Sequence, residues 1–442
     1  MKKTIALIFS FILVLASLCS ALSASALSPT VPDTSNAYAV CLYNVNTEQS
    51  IYGKNLHEKI FPGGAVKMMT GLIACEMLSD RLDDRITVTP QMLEGVSGNN
   101  IKLKEGMSVT VENLMYGVLC AGGNDAACVL SIACKGSIEA FVRLMNTKAK
   151  EWGLENTHFT NPTGLDDPDM FSTLSDIMVI AKKAYENELY LDISSAMSYV
   201  FTPAGESEEI KIFNRNALIS TFYASGYRNP NCMGLISSNT ELGGNCVITY
   251  AQKKDTGYIC AVMRASEDDD KVYSYEIANS LLKYAFDNFY YLRIAESDQY
   301  VCDIPVSFAM PNEDGEEYRL KCVIQNDVYA LTNSSIDVQN DLKYRYYFHN
   351  EDINAPITAG DIVGGVDIIY DGEVLGTARL VAAEDVTENG MLVILEKMKL
   401  FFLGREFWLF VVFFVIIVAL YCFHIRRKLQ RKRVKHIGHN NH

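Results

Sequence analysis

The 442-residue chain is 49% apolar and 21% charged, with a formal net charge of −14 at pH 7. These figures exclude a disordered or low-complexity protein and leave room for about two or three folded units. Setting aside two leader lysines and seven tail cations turns −14 into −23 for residues 27–425, so nucleic acid and anionic membrane surfaces are poor partners for that stretch.

Residues 1–26 read as a secretory signal peptide, with Lys2 and Lys3, the apolar run Ile5–Leu18 and the small-residue cleavage site Ala24-Ser25-Ala26. Residues 37–60 alternate apolar and polar around Asn44, Asn46 and Gly53 and predict a β-hairpin. Val66–Leu78 is apolar on nearly every face, the pattern of a helix buried on all sides. Further helices are predicted at Val111–Leu119, Ala126–Ala133, Ile138–Trp152, Thr173–Glu186 and Ser274–Phe289. Strands are predicted at Cys246–Gln252 and Tyr258–Met263. Helices gathered between flanking strands give an α/β domain over 27–290, with a sheet packed on a helical cluster.

From residue 291 to 388, short β-branched runs separated by Asn, Asp and Gly indicate a small all-β domain, and 389–406 reads as a linker. Phe407–Ile425 carries no Asp, Glu, Lys or Arg, with His424 near its end, and is long enough to cross a bilayer. The basic tail, 426–442, holds Arg426, Arg427, Lys428, Arg431, Lys432, Arg433 and Lys435 and no acid. The positive-inside rule then gives a single-pass type I protein of the cell membrane with its ectodomain extracytoplasmic. A buried core helix is the other reading of that apolar run, and seven adjoining cations make poor core neighbours.

Of the twelve cysteines, ten fall between leader and span. They form no dense framework and no Cys-x-x-Cys pair, which suggests mostly free thiols. His57, His158 and His349 are far apart in sequence, and neither a metal site nor a cofactor is expected.

Two segments stand out chemically. In Phe61–Thr70, Lys67 is the only cation of an apolar helix, so it must be paired, neutralised or extended to the surface. Gly64, Lys67 and Gly71 share one helical stripe, which leaves room for a neighbour to approach. In Leu119–Ala127, a Gly122-Gly123 turn separates two helical runs, with Asn124 or Asp125 available as a cap. A capped helix–helix turn needs no function.

Taken together, Phe61–Glu76, Leu114–Ala127, Asn161–Asp166 with Ser172–Ile177, Asn214–Leu218, Ala355–Asp361 and Gly364–Tyr370 resemble the serine D-alanyl-D-alanine carboxypeptidases. These are low-molecular-mass penicillin-binding proteins with a β-lactamase-like fold and a β-rich C-terminal domain. The resemblance covers about residues 36–388. It implies action on peptidoglycan stem peptides through a nucleophilic serine, a lysine base, a second proton-relaying serine and a Lys-Thr-Gly strand that holds the substrate carboxylate. Here the nucleophile position is Gly64, the second serine position is Gly122, and the third motif reads Ile236-Ser237-Ser238. Only Lys67 and Asn124 stand where the family has functional residues.

Without a hydroxyl at Gly64 no acyl-enzyme forms there. Without a serine at Gly122 the relay is gone, and Ile236 cannot pair a carboxylate. The leading expectation is a membrane-anchored pseudoenzyme that binds or scaffolds at peptidoglycan, with a stem peptide or a cell-wall protein as partner. One alternative is an active carboxypeptidase with a displaced nucleophile: Thr70, Cys120, or Ser237 and Ser238, the last two expected on the binding side. Another is a structural adaptor that meets a protein through its β domain.

Overall fold

The structure, a computed structural model, describes residues 30–311, 316–332, 336–349 and 353–437. The signal peptide expected over 1–26 lies outside the described residues. The fold divides near Tyr291 and Leu292 into two compact units.

In the first unit one antiparallel sheet comprises β1 (Ala37–Asn44), β2 (Gln49–Lys54), β3 (Cys232–Thr240), β4 (Gly244–Lys253) and β5 (Thr256–Ala265). Their order is β2-β1-β5-β4-β3. Side chains alternate along a strand, and here both faces are apolar. Ala39, Cys41, Ile259, Ala261 and Met263 face one core, whereas Val40, Leu42, Cys260 and Val262 face another. The first face carries six helices: α1 (Val66–Leu78), α2 (Val111–Leu119), α3 (Asn124–Lys135), α4 (Ile138–Glu151), α5 (Leu174–Glu186) and α6 (Glu188–Ser195). The second is covered by α7 (Tyr273–Asn288), through Ile277, Ala278, Leu281, Leu282 and Ala285.

The α/β reading therefore stands. Helix α1 has the expected bounds and is buried nearly all round. Each fully buried aliphatic side chain there stabilises the fold by about 1.5–3 kcal/mol. The hairpin expected over 37–60 stops earlier, at Lys54. Asn55 takes a left-handed conformation, φ 51°, which asparagine tolerates, and Lys59–Ile60 pairs instead with Ser172–Thr173.

The second unit contains β6 (Tyr300–Pro305), β7 (Arg319–Ile324), β8 (Lys343–Phe348), β9 (Ile362–Tyr370) and β10 (Glu373–Ala382), in the order β6-β7-β10-β9-β8. They enclose a separate core that includes Leu320, Cys322, Ile324, Val366, Ile368 and Leu380.

The segment 389–406, expected as a linker, is largely helical. Asn389 caps α8 (Gly390–Leu403), accepting hydrogen bonds from the Met391 and Leu392 amides. Its interior of Leu, Met, Glu and Lys favours helix, and no glycine or proline interrupts it until Gly404. Helix α9 (Arg405–Ile437) follows and overshoots the expected span at both ends. Its Arg405–Leu429 segment is long and apolar enough to cross a membrane. All eleven described cysteines are free thiols.

Candidate active site

The cleft of the first unit is built from the start of α1, the α2–α3 turn, two loops and β3. It encloses a cavity of about 480 Å³ lined by Gly64, Lys67, Asn124, Arg215, Ser237 and Ser238, among others.

At the start of α1, Gly63 has φ +51° and a 3-10 turn spans Gly63–Ala65. The loop Asn161–Asp166 packs directly on it. A Cβ on Gly164, whose φ is +72°, would overlap the Gly63 carbonyl, so only glycine permits this approach. Asn161 shapes the loop, because its Oδ1 accepts from the Thr163 amide (3.1 Å), the Thr163 hydroxyl (2.8 Å) and the Gly164 amide (2.8 Å). The loop thereby offers two carbonyls to α1. Lys67 Nζ donates to that of Thr163 at 2.5 Å, and Thr70 Oγ1 to that of Pro162 at 2.7 Å. Lys67 is 7% exposed. Burial, helped by the nearby Arg215 guanidinium, lowers its pKa to about 8.

In the second segment neither expected capping residue serves as the N-cap. Gly123 takes that position and Asn124 is the first helical residue. Asp125 turns instead to the loop before α2, where its carboxylate accepts from the amides of Ile101 and Leu103 at 3.0 Å each. Asn124 Nδ2 donates to the Ser97 carbonyl at 2.7 Å, while its buried Oδ1 has no partner among the described residues. Gly122 has φ +65°, so any side chain there is strained, although a Cβ would meet only ordinary contacts.

Arg215 is a cleft residue that sequence reasoning missed. Its guanidinium donates to Asn99 Oδ1 at 3.3 Å and lies over the Tyr223 ring at 4.8 Å. The signal was present in its neighbours, two buried asparagines that fix the turn. Asn214 Nδ2 donates to the Ser194 and Ala196 carbonyls at 2.8 and 2.9 Å, and Asn216 Nδ2 to that of Gly234 at 3.0 Å.

Strand β3 separates the three residues of the third motif. Ile236, expected at the substrate, is 3% exposed and belongs to the core on the helical side of the sheet. Ser237 shares a hydrogen bond of 2.6 Å with the Tyr275 hydroxyl of α7. Ser238 points to α1. A Cβ on Gly64 would overlap Ser238 Cβ and stand 2.6 Å from its Oγ. The Ser238 side chain therefore fills the space that a residue larger than glycine would need at position 64. Its Oγ is buried and has no partner among the described residues.

A family model described as D-alanyl-D-alanine carboxypeptidase matches residues 25–267, more than half of the chain. The chain belongs to this family. A second model, described as the C-terminal domain of penicillin-binding protein 5, matches residues 304–388. D-alanyl-D-alanine carboxypeptidase DacF of Bacillus subtilis is 27% identical over 82% of this chain and 88% of its own length. DacC of Escherichia coli is 28% identical over 76% and 80%. Penicillin-binding protein 5 of Haemophilus influenzae shares the fold, with a TM-score of 0.61 at 23% identity, covering 81% of this chain and all of that one. So does DacD of Francisella tularensis, with a TM-score of 0.64 at 21% identity over 82% and 96%.

Within this carboxypeptidase fold the other displaced-nucleophile candidates are occupied elsewhere. Thr70 is fully buried and spends its hydroxyl on Pro162. Cys120 Sγ donates to the Ile193 carbonyl at 3.1 Å, and burial pushes its pKa up to about 12. Neither lines the cavity.

Proposed function

We propose that this chain is a membrane-anchored, non-catalytic member of the D-alanyl-D-alanine carboxypeptidase family that holds peptidoglycan stem peptides. The observation that carries the reading is the Gly64–Ser238 contact: the nucleophile position is empty of a side chain and its space is taken from the opposite strand. The cleft nevertheless keeps groups suited to a peptide. Lys67 and Arg215 offer donors to carbonyls or a carboxylate, and the unpartnered Asn124 Oδ1 suits a peptide N–H. Asp166 and Glu241 on the cavity wall keep it from being a general anion site.

The apolar stretch of helix α9 and the cations at its C-terminal end support a single-pass type I topology, with the cleft outside the membrane. The test is equilibrium binding of a synthetic stem pentapeptide to the full chain in detergent, with D-alanine assayed in the same sample. Saturable binding without D-alanine release is expected. Catalytic release contradicts the reading.

One observation favours a second reading. The Ser238 hydroxyl stands next to the lost nucleophile's position, buried and unpartnered, in the cavity that Lys67 also lines. If Ser238 attacked the peptide carbonyl, Lys67 would take its proton and pass it to the leaving D-alanine amine. Release that disappears in Ser238→Ala would establish this reading instead.

A further inference from the structure

Beside the cleft lies a second cavity of about 510 Å³, walled by the strand Ile210–Phe213, the loop around Asn99–Lys104 and the segment carrying Phe222 and Tyr223. Its rings are layered. Phe213 and Phe222 stack in parallel with centroids 3.7 Å apart, and Tyr223 meets Phe222 edge-on at 5.0 Å. Phe222 is nonetheless 58% exposed and Tyr223 50% exposed. Large aromatic rings left this open beside a concave surface mark a binding site more often than a core.

Three features describe the occupant. The rim carries both charge signs, with Lys102 and Lys104 opposed by Glu206, Glu208 and Glu209, which suits a neutral ligand rich in donors and acceptors rather than an ion or an apolar helix. Ring faces suit the C–H face of a pyranose, whose edges carry the hydroxyls. The cavity also adjoins the cleft, because Asn99 lines both and Arg215 reaches from one over the Tyr223 ring of the other. A ligand filling both would have a peptide attached to a sugar.

We propose that the Phe213–Phe222–Tyr223 platform is a subsite for N-acetylhexosamine rings, holding the glycan to which the cleft's peptide is attached. The proposal rests on the wall-binding reading above. The two fail separately, because glycan and peptide are titrated as separate probes.

The probe is the β-1,4-linked tetramer of N-acetylglucosamine, titrated calorimetrically into the full chain in detergent, with the stem pentapeptide titrated in parallel. Saturable tetramer binding is expected, weakened about tenfold in Phe222→Ala and retained in Phe222→Trp. Pentapeptide affinity should be the same in all three proteins. Phe222 is exposed, so its replacement leaves the core intact, and a matching thermal unfolding midpoint checks this. Pentapeptide binding without tetramer binding overturns the glycan subsite and leaves the stem-peptide reading standing. Tetramer binding that Phe222→Ala does not change overturns the placement on these rings. An aromatic peptide that binds here while the tetramer does not would make the platform a protein-docking face and overturn the proposal as well.

Discussion

Gly64 and Ser238 form one packing unit in which a side chain on one residue excludes a side chain on the other. Gly64→Ser alone is therefore an overpacking change, expected to cost about 1–3 kcal/mol on chemical denaturation. Adding Ser238→Gly should recover most of that loss, since residues in contact do not behave additively. Equal destabilisation in the single and double variants would contradict the contact. Lys67 supplies a second test. Its pKa falls from 10.5 to about 8 on folding, so between those values the unfolded chain binds more protons and stability rises with pH. Below pH 8 both states are protonated and the full burial cost, about 3 kcal/mol, is present. Lys67→Met is expected to be more stable than the parent by that order at pH 7, with the gap closing by pH 10.5. A gap independent of pH would contradict neutralisation as the cause.

Helix α8 changes what a soluble fragment must exclude. Met391, Ile394, Leu400, Phe401 and Leu403 are each at least 60% exposed, in a helix with no buried residue. A chain ending at Glu406 should need detergent although it lacks the span, whereas one ending at Glu388 should stay in solution without it. Solubility of the longer fragment would contradict an apolar α8 surface. This helix also marks the limit of sequence reasoning at the level of elements. The boundaries of α1 and α2 were legible because each is an apolar run that ends at polar or turn residues. Next to a stronger signal, the 19-residue apolar run, α8 lost its identity and read as a connection. In the candidate site, Lys67 was legible as a cation in an apolar helix, and Asn124 as a capping candidate that matches the family's second motif. The contact of Ser238 with Gly64 was not, since strand periodicity places a residue on a face without revealing what it meets there. Arg215 was overlooked because its role depends on the fixed turn made by Asn214 and Asn216.

Across the whole molecule, the carboxypeptidase fold persists while Ile236, the first residue of its third motif, is part of the core. Ile236→Lys would put a charge among buried apolar side chains, and a loss of several kcal/mol is expected on denaturation. A near-neutral result would mean that the strand can still turn this position to the cleft. Restoring the family's residues together is thus limited by folding as well as by chemistry, with Gly122 adding backbone strain. On the proposed function, no hydroxyl of the cleft acts as a nucleophile. Intact-mass spectrometry of the detergent-solubilised full chain after incubation with penicillin tests it most directly. The expected spectrum shows the unmodified mass alone. A stoichiometric adduct mapping to Ser238 would contradict the account and make that residue the relocated nucleophile.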